Sequence, residues 1–310
     1  MRYREAVFAW FGFRAGAAGF LRHGFTPGFR AAASALLQPV NSYTRFPEYH
    51  FFERDIADFL EDRPGGGVPP LVLDVGSPKL FGFYLARRHP VDLLLTDISP
   101  LALDPYEKAW EAIRRGARGR VSFGTRDARR LSDRDGTFDV VYAMSVLEHV
   151  EGDDGDSAAA GEMLRVLKPG GLLVFSVPIG PDYREQAIQG LAHAVERTGK
   201  GDLHFFQRIY DSGRFENRLR RPLGGRIERE KIRTIDRRPS DVLRGYHFFR
   251  RYLPEGLVAA LGPLNPVASA AFNRDHPGLV EPAVTVYGPV HRFGDIYADA
   301  ILSGRKAAEP

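Results

Sequence analysis

From residue 71 onward the chain alternates between short apolar runs and stretches with helical spacing. The runs at 71–75, 91–96, 121–123, 138–143 and 172–177 are dominated by Leu, Val and Phe and read as strands. Between them, 78–88, 105–115 and 158–167 place apolar residues three or four apart and stop near Gly or Pro, which predicts helices. Apolar runs without in-out alternation predict strands buried on both faces, hence a mostly parallel sheet with helices on each side. Sheets of this kind bind ligands beyond the carboxyl ends of their strands.

Upstream the pattern is helical. Thr26-Pro27 opens a predicted helix that Pro39 stops, and 47–62 sets Tyr49, Phe52, Ile56, Phe59 and Leu60 near helical spacing. Arg63 to Pro70, with three consecutive glycines and three prolines, reads as a linker. The chain thus divides into an N-terminal helical extension (1–62), a linker (63–70) and an α/β domain (71–310). Further on, a helical stretch is expected to about Arg197 and another helix over 211–221. Runs at 225–232 and 282–287 read as strands that complete a seven-stranded sheet with an antiparallel last pair. Residues 233–280 form an expected insertion before the last strand, as a substrate lid, a homodimer contact or a loop.

Composition narrows the function classes. The 310 residues are 44% hydrophobic and 26% charged with a formal net charge of +4, as in an ordinary soluble globular protein. No basic run is interleaved with stacking aromatics, which disfavours nucleic acid as a partner. The chain has no cysteine, so disulfides and thiolate metal sites are excluded, and its scattered histidines show no metal-ligand spacing. No apolar run reaches 18 residues, so no membrane-spanning helix is expected. Residues 1–24 mix Phe8, Trp10, Phe11, Phe13 and Phe20 with Arg2, Arg4, Arg14 and Arg22. Two readings stay open for them: a helix packed on the main domain, or an interfacial helix making the protein membrane-peripheral. The expected location is cytoplasmic.

The chemistry lies at the strand ends. Asp74 closes the first run and precedes Gly76; Asp97 closes the second run 23 residues later, the distance that returns a βαβ unit to the neighbouring strand end. An acid there can accept from both hydroxyls of a ribose. Asp127-Ala128 follows the third run, where a carboxylate and a backbone N–H can meet the edge of an adenine. The turn after Asp74 lacks the Gly-x-Gly-x-x-Gly of dinucleotide dehydrogenases, with Pro78 and Phe81 standing where glycines are needed.

These residues carry a resemblance. Leu73-Asp74-Val75-Gly76-Ser77, Asp97, Asp127-Ala128, Phe138 to Tyr142 with Leu147-Glu148-His149, and Leu167-Lys168-Pro169-Gly170-Gly171 stand in the order found in class I S-adenosylmethionine-dependent methyltransferases. The similarity covers about 70–178 and is strongest to the small-molecule group with a Leu-Glu-His element after the fourth strand. It implies a Rossmann-like sheet, S-adenosylmethionine as cofactor, and in-line methyl transfer to a nucleophile at the carboxyl edge. It further implies that Asp74, Gly76, Ser77, Asp97, Asp127, Ala128 and Met144 line the cofactor. His149 is the candidate catalytic base, because an alcohol or carboxylic acceptor needs one. His204, Arg208 and Tyr210, in an element similar to tails of bacterial glycan-modifying methyltransferases, are candidate acceptor contacts.

One departure bears on all of this. Relatives show Asp-x-Gly-x-Gly-x-Gly, whereas this chain reads Asp74-Val75-Gly76-Ser77-Pro78-Lys79-Leu80. Proline removes an N–H and fixes φ, so the helix is expected to start at once, with Ser77 as cap, Pro78 in its first turn, and Lys79 adding charge toward the methionine carboxylate. The functional expectation is O-methylation of a small molecule or glycan intermediate. Its alternatives are a non-catalytic scaffold with a degenerate first motif, and a membrane-peripheral enzyme acting on a lipid-linked acceptor.

Overall fold

The computed structural model describes residues 45–63, 67–189, 203–236, 284–286 and 298–308, with a few positions between 11 and 21. Helix α1 (Arg45–Asp62) leads through the linker to β1 (Leu71–Val75), α2 (Lys79–Arg88), β2 (Asp92–Asp97), α3 (Pro100–Ile113) and β3 (Arg120–Thr125). Strand β4 (Phe138–Met144), a single 3-10 turn at Leu147–His149, α4 (Gly155–Val166) and β5 (Leu167–Ile179) complete the alternating part. There follow β6 (Arg184–Gln189), β7 (Leu203–Ile209), a helical segment over 212–223, β8 (Ile227–Asp236), β9 (Val284–Val286) and β10 (Ala298–Lys306).

The main sheet has the order β3-β2-β1-β4-β5-β10-β8-β9. Strands β1 to β5 are parallel, and β10 runs antiparallel to both β5 and β8. This is the expected Rossmann-like, mostly parallel sheet with an antiparallel last strand, widened by one short edge strand. Order reverses between β1 and β4, which opens a crevice at their carboxyl ends. Every residue of β4 is buried, as its unbroken Phe-Asp-Val-Val-Tyr-Ala-Met run requires at the sheet centre.

Two apolar layers sandwich the sheet. On one face α1, α2 and α3 bring Tyr49, Phe52, Phe81, Phe83 and Trp110 against Tyr142 and the inner strands. On the other, α4 and the 212–223 segment set Met163, Leu164, Phe215 and Leu219 against Val141, Leu173 and Phe175. Helix α1 is joined to this core in two ways. Its rings Tyr49 and Phe52 pack on Phe81 at centroid distances of 5.5 and 5.9 Å. Its Asp55 forms a buried two-pronged pair with Arg233 of β8, at 2.6 and 2.9 Å.

Several expected elements are corrected. Helix α3 begins at Pro100, with Ser99 as N-cap, rather than near residue 105; Pro100 suits a first turn, and Pro105 is tolerated within the helix. The helix expected over 184–197 is a strand where it is described, because β7 supplies an antiparallel partner along Arg184–Gln189. The strand expected over 282–287 is the edge strand β9; the place beside β5 belongs to β10. Residues 233–236 of the expected insertion belong to β8, and the rest of it, like the helix expected over 26–38, lies outside the described residues. Among the described residues no helix is long and apolar enough to cross a membrane.

Phe81 tests this packing, since it is fully buried and touches α1 and β4 at once. Phe81→Ala is expected to lower stability by about 3–5 kcal/mol, read as a fall in the urea midpoint at unchanged slope.

Candidate active site at the carboxyl edge of the sheet

The loop after β1 is built around a buried ion pair. Asp74 is fully buried, and its Oδ1 accepts from Ser77 N and from Lys79 Nζ, each at 3.0 Å. Lys79 Nζ also donates to Ser77 O at 2.7 Å and to Thr96 O at 2.8 Å. Its three donors are therefore matched one to one with acceptors on the β1 turn and the end of β2. Burial pushes the Asp74 carboxyl above its ordinary value, and the Lys79 ammonium opposes that rise. Thr96 closes the same junction from the other side, its hydroxyl donating to Asp74 O at 2.6 Å while its carbonyl accepts from Gly76 N at 3.2 Å.

Two expectations for this turn are corrected. Lys79 does not face a ligand carboxylate: it is 3% exposed and its ammonium is spent inside the turn. Ser77 does not cap α2, for which Pro78 is the N-cap; the Ser77 hydroxyl instead accepts from Met144 N at 2.9 Å and ties the β1 turn to the end of β4. Asp74, expected to line the cofactor, orders the turn through these bonds. Gly76 adopts φ +69°, and a Cβ there would stand 3.0 Å from Val146 Cγ1, so this one glycine serves both conformation and close approach.

The exit of β4 holds a group that sequence reasoning missed. Ser145 adopts φ +50°, uncommon for a residue other than glycine. Its N–H donates to Ser176 Oγ at 3.0 Å, and the hydroxyls of Ser145 and Ser176 both donate to Glu48 Oε1, at 3.0 and 2.7 Å. Glu48 is fully buried in the first turn of α1. The signal was an acid on the apolar face, at helical spacing from Phe52, Ile56 and Phe59.

The outer positions are more open. Asp97 ends β2 half-buried; Oδ1 accepts from Ser99 N at 3.0 Å, and among the described residues no protein group donates to Oδ2. Asp127 follows β3 and is held in a fork by Arg129, with contacts of 2.7 to 3.2 Å that keep its carboxyl below the ordinary range. Ala128 packs half-buried beside it. His149, on the turn after β4, has Nδ1 2.6 Å from Phe206 O and Nε2 3.8 Å from Glu148 Oε1. A carbonyl only accepts, so Nδ1 carries the hydrogen, and in the neutral ring the lone pair sits on Nε2.

The expected acceptor contacts are corrected at two of three positions. Arg208 is 2% exposed and donates to Val150 O at 2.6 Å and Gly152 O at 2.5 Å, clamping the loop after His149. Tyr210 is fully buried, and its hydroxyl donates to Asp156 Oδ2 at 2.8 Å; burial and the Asp156 charge push the phenol far above its ordinary value. Asp156 also receives Arg218 at 2.6 and 2.9 Å, so this cluster fastens β7 and the 212–223 segment to α4. His204 remains half-exposed on β7.

No group of three or more metal-ligating side chains occurs among the described residues. A cavity of about 420 Å³ opens at the opposite, amino edge of the sheet, lined by Leu60, Arg63, Pro70, Arg88, His89 and Arg118 among others. Its arginines are engaged, Arg63 with Asp139, Arg88 with Glu53 and Arg118 with the Arg88 carbonyl, and none of the strand-end acids lines it.

Lys79→Met is expected to lower stability by about 3–5 kcal/mol, because it leaves Asp74 buried without its cation. Adding Asp74→Asn should recover most of that loss in urea unfolding, whereas a lysine serving only a ligand would show neither effect.

Residues 73–175 match the family model described as a methyltransferase domain. Among solved structures, the fold is similar to an S-adenosylmethionine-dependent methyltransferase from Methanosarcina mazei, at 16% identity over 82% of this chain and 98% of that one, with a TM-score of 0.48. It is also similar to the [4+2]-cyclase SpnF, at 21% identity over 83% of this chain and 81% of that one, with a TM-score of 0.46. A third similar structure is geranyl diphosphate C-methyltransferase from Streptomyces coelicolor, at 14% identity over 87% and 86% of the two chains, with a TM-score of 0.43. The matched span begins within β1 and ends within β5, so β2, β3, β4 and the acids Asp74, Asp97 and Asp127 all fall inside it. Residues 73–175 thus match a methyltransferase domain, and they fold into the Rossmann-like parallel sheet that the sequence predicts.

Proposed function

We propose that the chain is an O-methyltransferase acting on a small molecule or a glycan intermediate, with cofactor and acceptor meeting above the carboxyl ends of β1 and β4. The observation that carries this reading is His149. It leaves β4 with Nδ1 anchored on the Phe206 carbonyl, which turns the basic Nε2 into the nitrogen able to take a proton from an acceptor hydroxyl.

The residues present fit the cofactor. Asp97 keeps Oδ2 open to a ribose hydroxyl, at the strand end next to β1. Ala128 offers its place beside the adenine, and Asp127 would meet the exocyclic amine by sharing its carboxylate with Arg129. Gly76 and the end of β4 at Met144 flank the crevice in which the methionine portion would lie, while Asp74 and Ser77 hold that crevice in shape from behind. When bound, S-adenosylmethionine supplies a methyl group already activated on a sulfonium, so the protein's share is orientation, exclusion of water and removal of one proton. Glu148, buried beside His149, sets a carboxylate oxygen 3.8 Å from Nε2. His204 is the remaining candidate for an acceptor contact from the β6–β7 hairpin.

Asp97→Ala is expected to weaken S-adenosylhomocysteine binding by about 10- to 100-fold in calorimetry, as loss of charge-assisted hydrogen bonds predicts. An unchanged affinity would remove Asp97 from the ribose site. An acceptor screen read by homocysteine release, run beside His149→Gln, tests the reaction. The variant should keep cofactor affinity and lose about 100-fold or more in turnover on a hydroxyl acceptor. Turnover retained by His149→Gln would exclude the histidine as base.

A further inference from the structure

The carboxyl edge of the sheet holds one continuous chain of polar contacts, and it begins outside the matched methyltransferase domain. Glu48 of α1 accepts from the hydroxyls of Ser145 and Ser176. Ser145 follows Met144, whose N–H donates to Ser77 Oγ; Ser77 N–H donates to Asp74, and Asp74 pairs with Lys79, which reaches Thr96 O. One network therefore runs from the N-terminal helix across the ends of β5, β4, β1 and β2. Within it the backbone of Ser145 is the costly point. A left-handed conformation at a residue with a Cβ is disfavoured, and it persists where surrounding contacts over-determine it. Here those contacts are identifiable: the N–H held by Ser176, and the side chain held by Glu48.

We infer that Glu48 is a positioning residue of the cofactor site. By fixing the hydroxyls of Ser145 and Ser176, its carboxylate holds the chain leaving β4 in the left-handed turn that shapes the cofactor crevice. Glu48 touches neither cofactor nor acceptor in this role; it acts through Ser145. Val146, the next residue, lies within contact distance of where a Gly76 side chain would begin, so a shift at Ser145 reaches the β1 turn directly. Helix α1 is accordingly a working part of the site, and a 73–175 core without it would lack one wall of the crevice. The inference rests on the reading of this edge as the cofactor site.

The test is calorimetric titration of the full-length protein with S-adenosylhomocysteine, each variant being checked for cooperative thermal unfolding. Glu48→Ala should weaken binding by about 10-fold or more, since it strips the shared acceptor from two hydroxyls. Glu48→Gln, whose amide oxygen can accept from both, should stay within about threefold of wild type. The discriminating variant is Ser145→Gly in the Glu48→Ala background. Glycine takes positive φ without strain, so the double variant should regain most of the lost affinity, although nothing in it restores the hydroxyl contacts. A role in global stability alone would give no such rescue. If Glu48→Ala does not accumulate in folded form, Ser176→Ala, which removes the hydroxyl shared by Ser145 N–H and Glu48 and leaves Ser145 N–H only the Ser176 carbonyl at 3.2 Å, is read the same way, with and without Ser145→Gly.

Affinity of Glu48→Ala within about twofold of wild type, or a double variant no better than the single one, overturns the inference while leaving the cofactor site standing. Wild-type protein that takes up no S-adenosylhomocysteine overturns the cofactor site and the inference together.

Discussion

The buried pair of Asp74 and Lys79 is the constraint around which the site is arranged. A carboxylate without solvent exposure is tolerated only where a cation and hydrogen bonds compensate it, and Lys79 can compensate it only by folding back under the turn. That requirement fixes the start of α2. It also draws the carbonyls of Ser77 and Thr96 onto one ammonium, which locks the ends of β1 and β2 in register with each other. A glycine-rich turn achieves close approach by having no side chains; this turn achieves it with side chains that are consumed on the spot. Only Gly76 keeps the glycine solution, where φ is positive and Val146 is near.

The same logic applies across the crevice. Glu48, Ser145 and Ser176 form a second buried polar knot at the ends of β4 and β5, and the Ser77 hydroxyl joins it to the first through Met144. In buried polar networks of this kind the medium that strengthens each bond also makes a missing one expensive, so most members are matched. The acceptor side obeys it too. Arg208 and Tyr210 look in sequence like acceptor contacts, yet the Arg208 terminal nitrogens and the Tyr210 hydroxyl bond protein groups and, with Asp156 and Arg218, seat β7 against α4 and the loop after His149. His149 gains its orientation from that seating, since its anchor is a β7 carbonyl.

The central fold was legible because parallel strands leave a mark that needs no partner to interpret. The continuous apolar run 138–144 and the acids at 74, 97 and 127 stand at strand ends whatever the rest of the chain does. Elements whose identity depends on a distant partner were not legible. Arg184–Gln189 has helical composition and becomes a strand because β7 pairs with it. Ala298–Lys306 carries Asp299 and Ser303 into a buried position beside β5, a pattern that no apolar periodicity announces. The carboxyl edge divides in the same way: the place of Asp97 at the end of β2 was readable from spacing, whereas the destination of the Lys79 ammonium and the partners of Glu48 are facts of three-dimensional closure.

The departure at Ser77-Pro78-Lys79 therefore changes its meaning. Read along the chain, it is a turn that has lost two glycines and with them the open geometry a cofactor site uses. In the fold, each replacement has a place. Pro78 stands at the N-cap, where its missing N–H is no loss to α2, Ser77 reaches β4, and Lys79 neutralises the acid that the strand delivers. A decayed motif would leave such groups exposed or unmatched, because nothing would select a lysine whose three protons all find acceptors in the interior. The turn is better understood as a cross-linked version of the usual one, in which rigidity comes from side-chain bonds rather than from the absence of side chains. What it gives up is the glycine at position 78 and with it one backbone N–H at the helix start, so on the proposed reading recognition of the cofactor's methionine end falls more heavily on the exit of β4. That is the segment Glu48 holds.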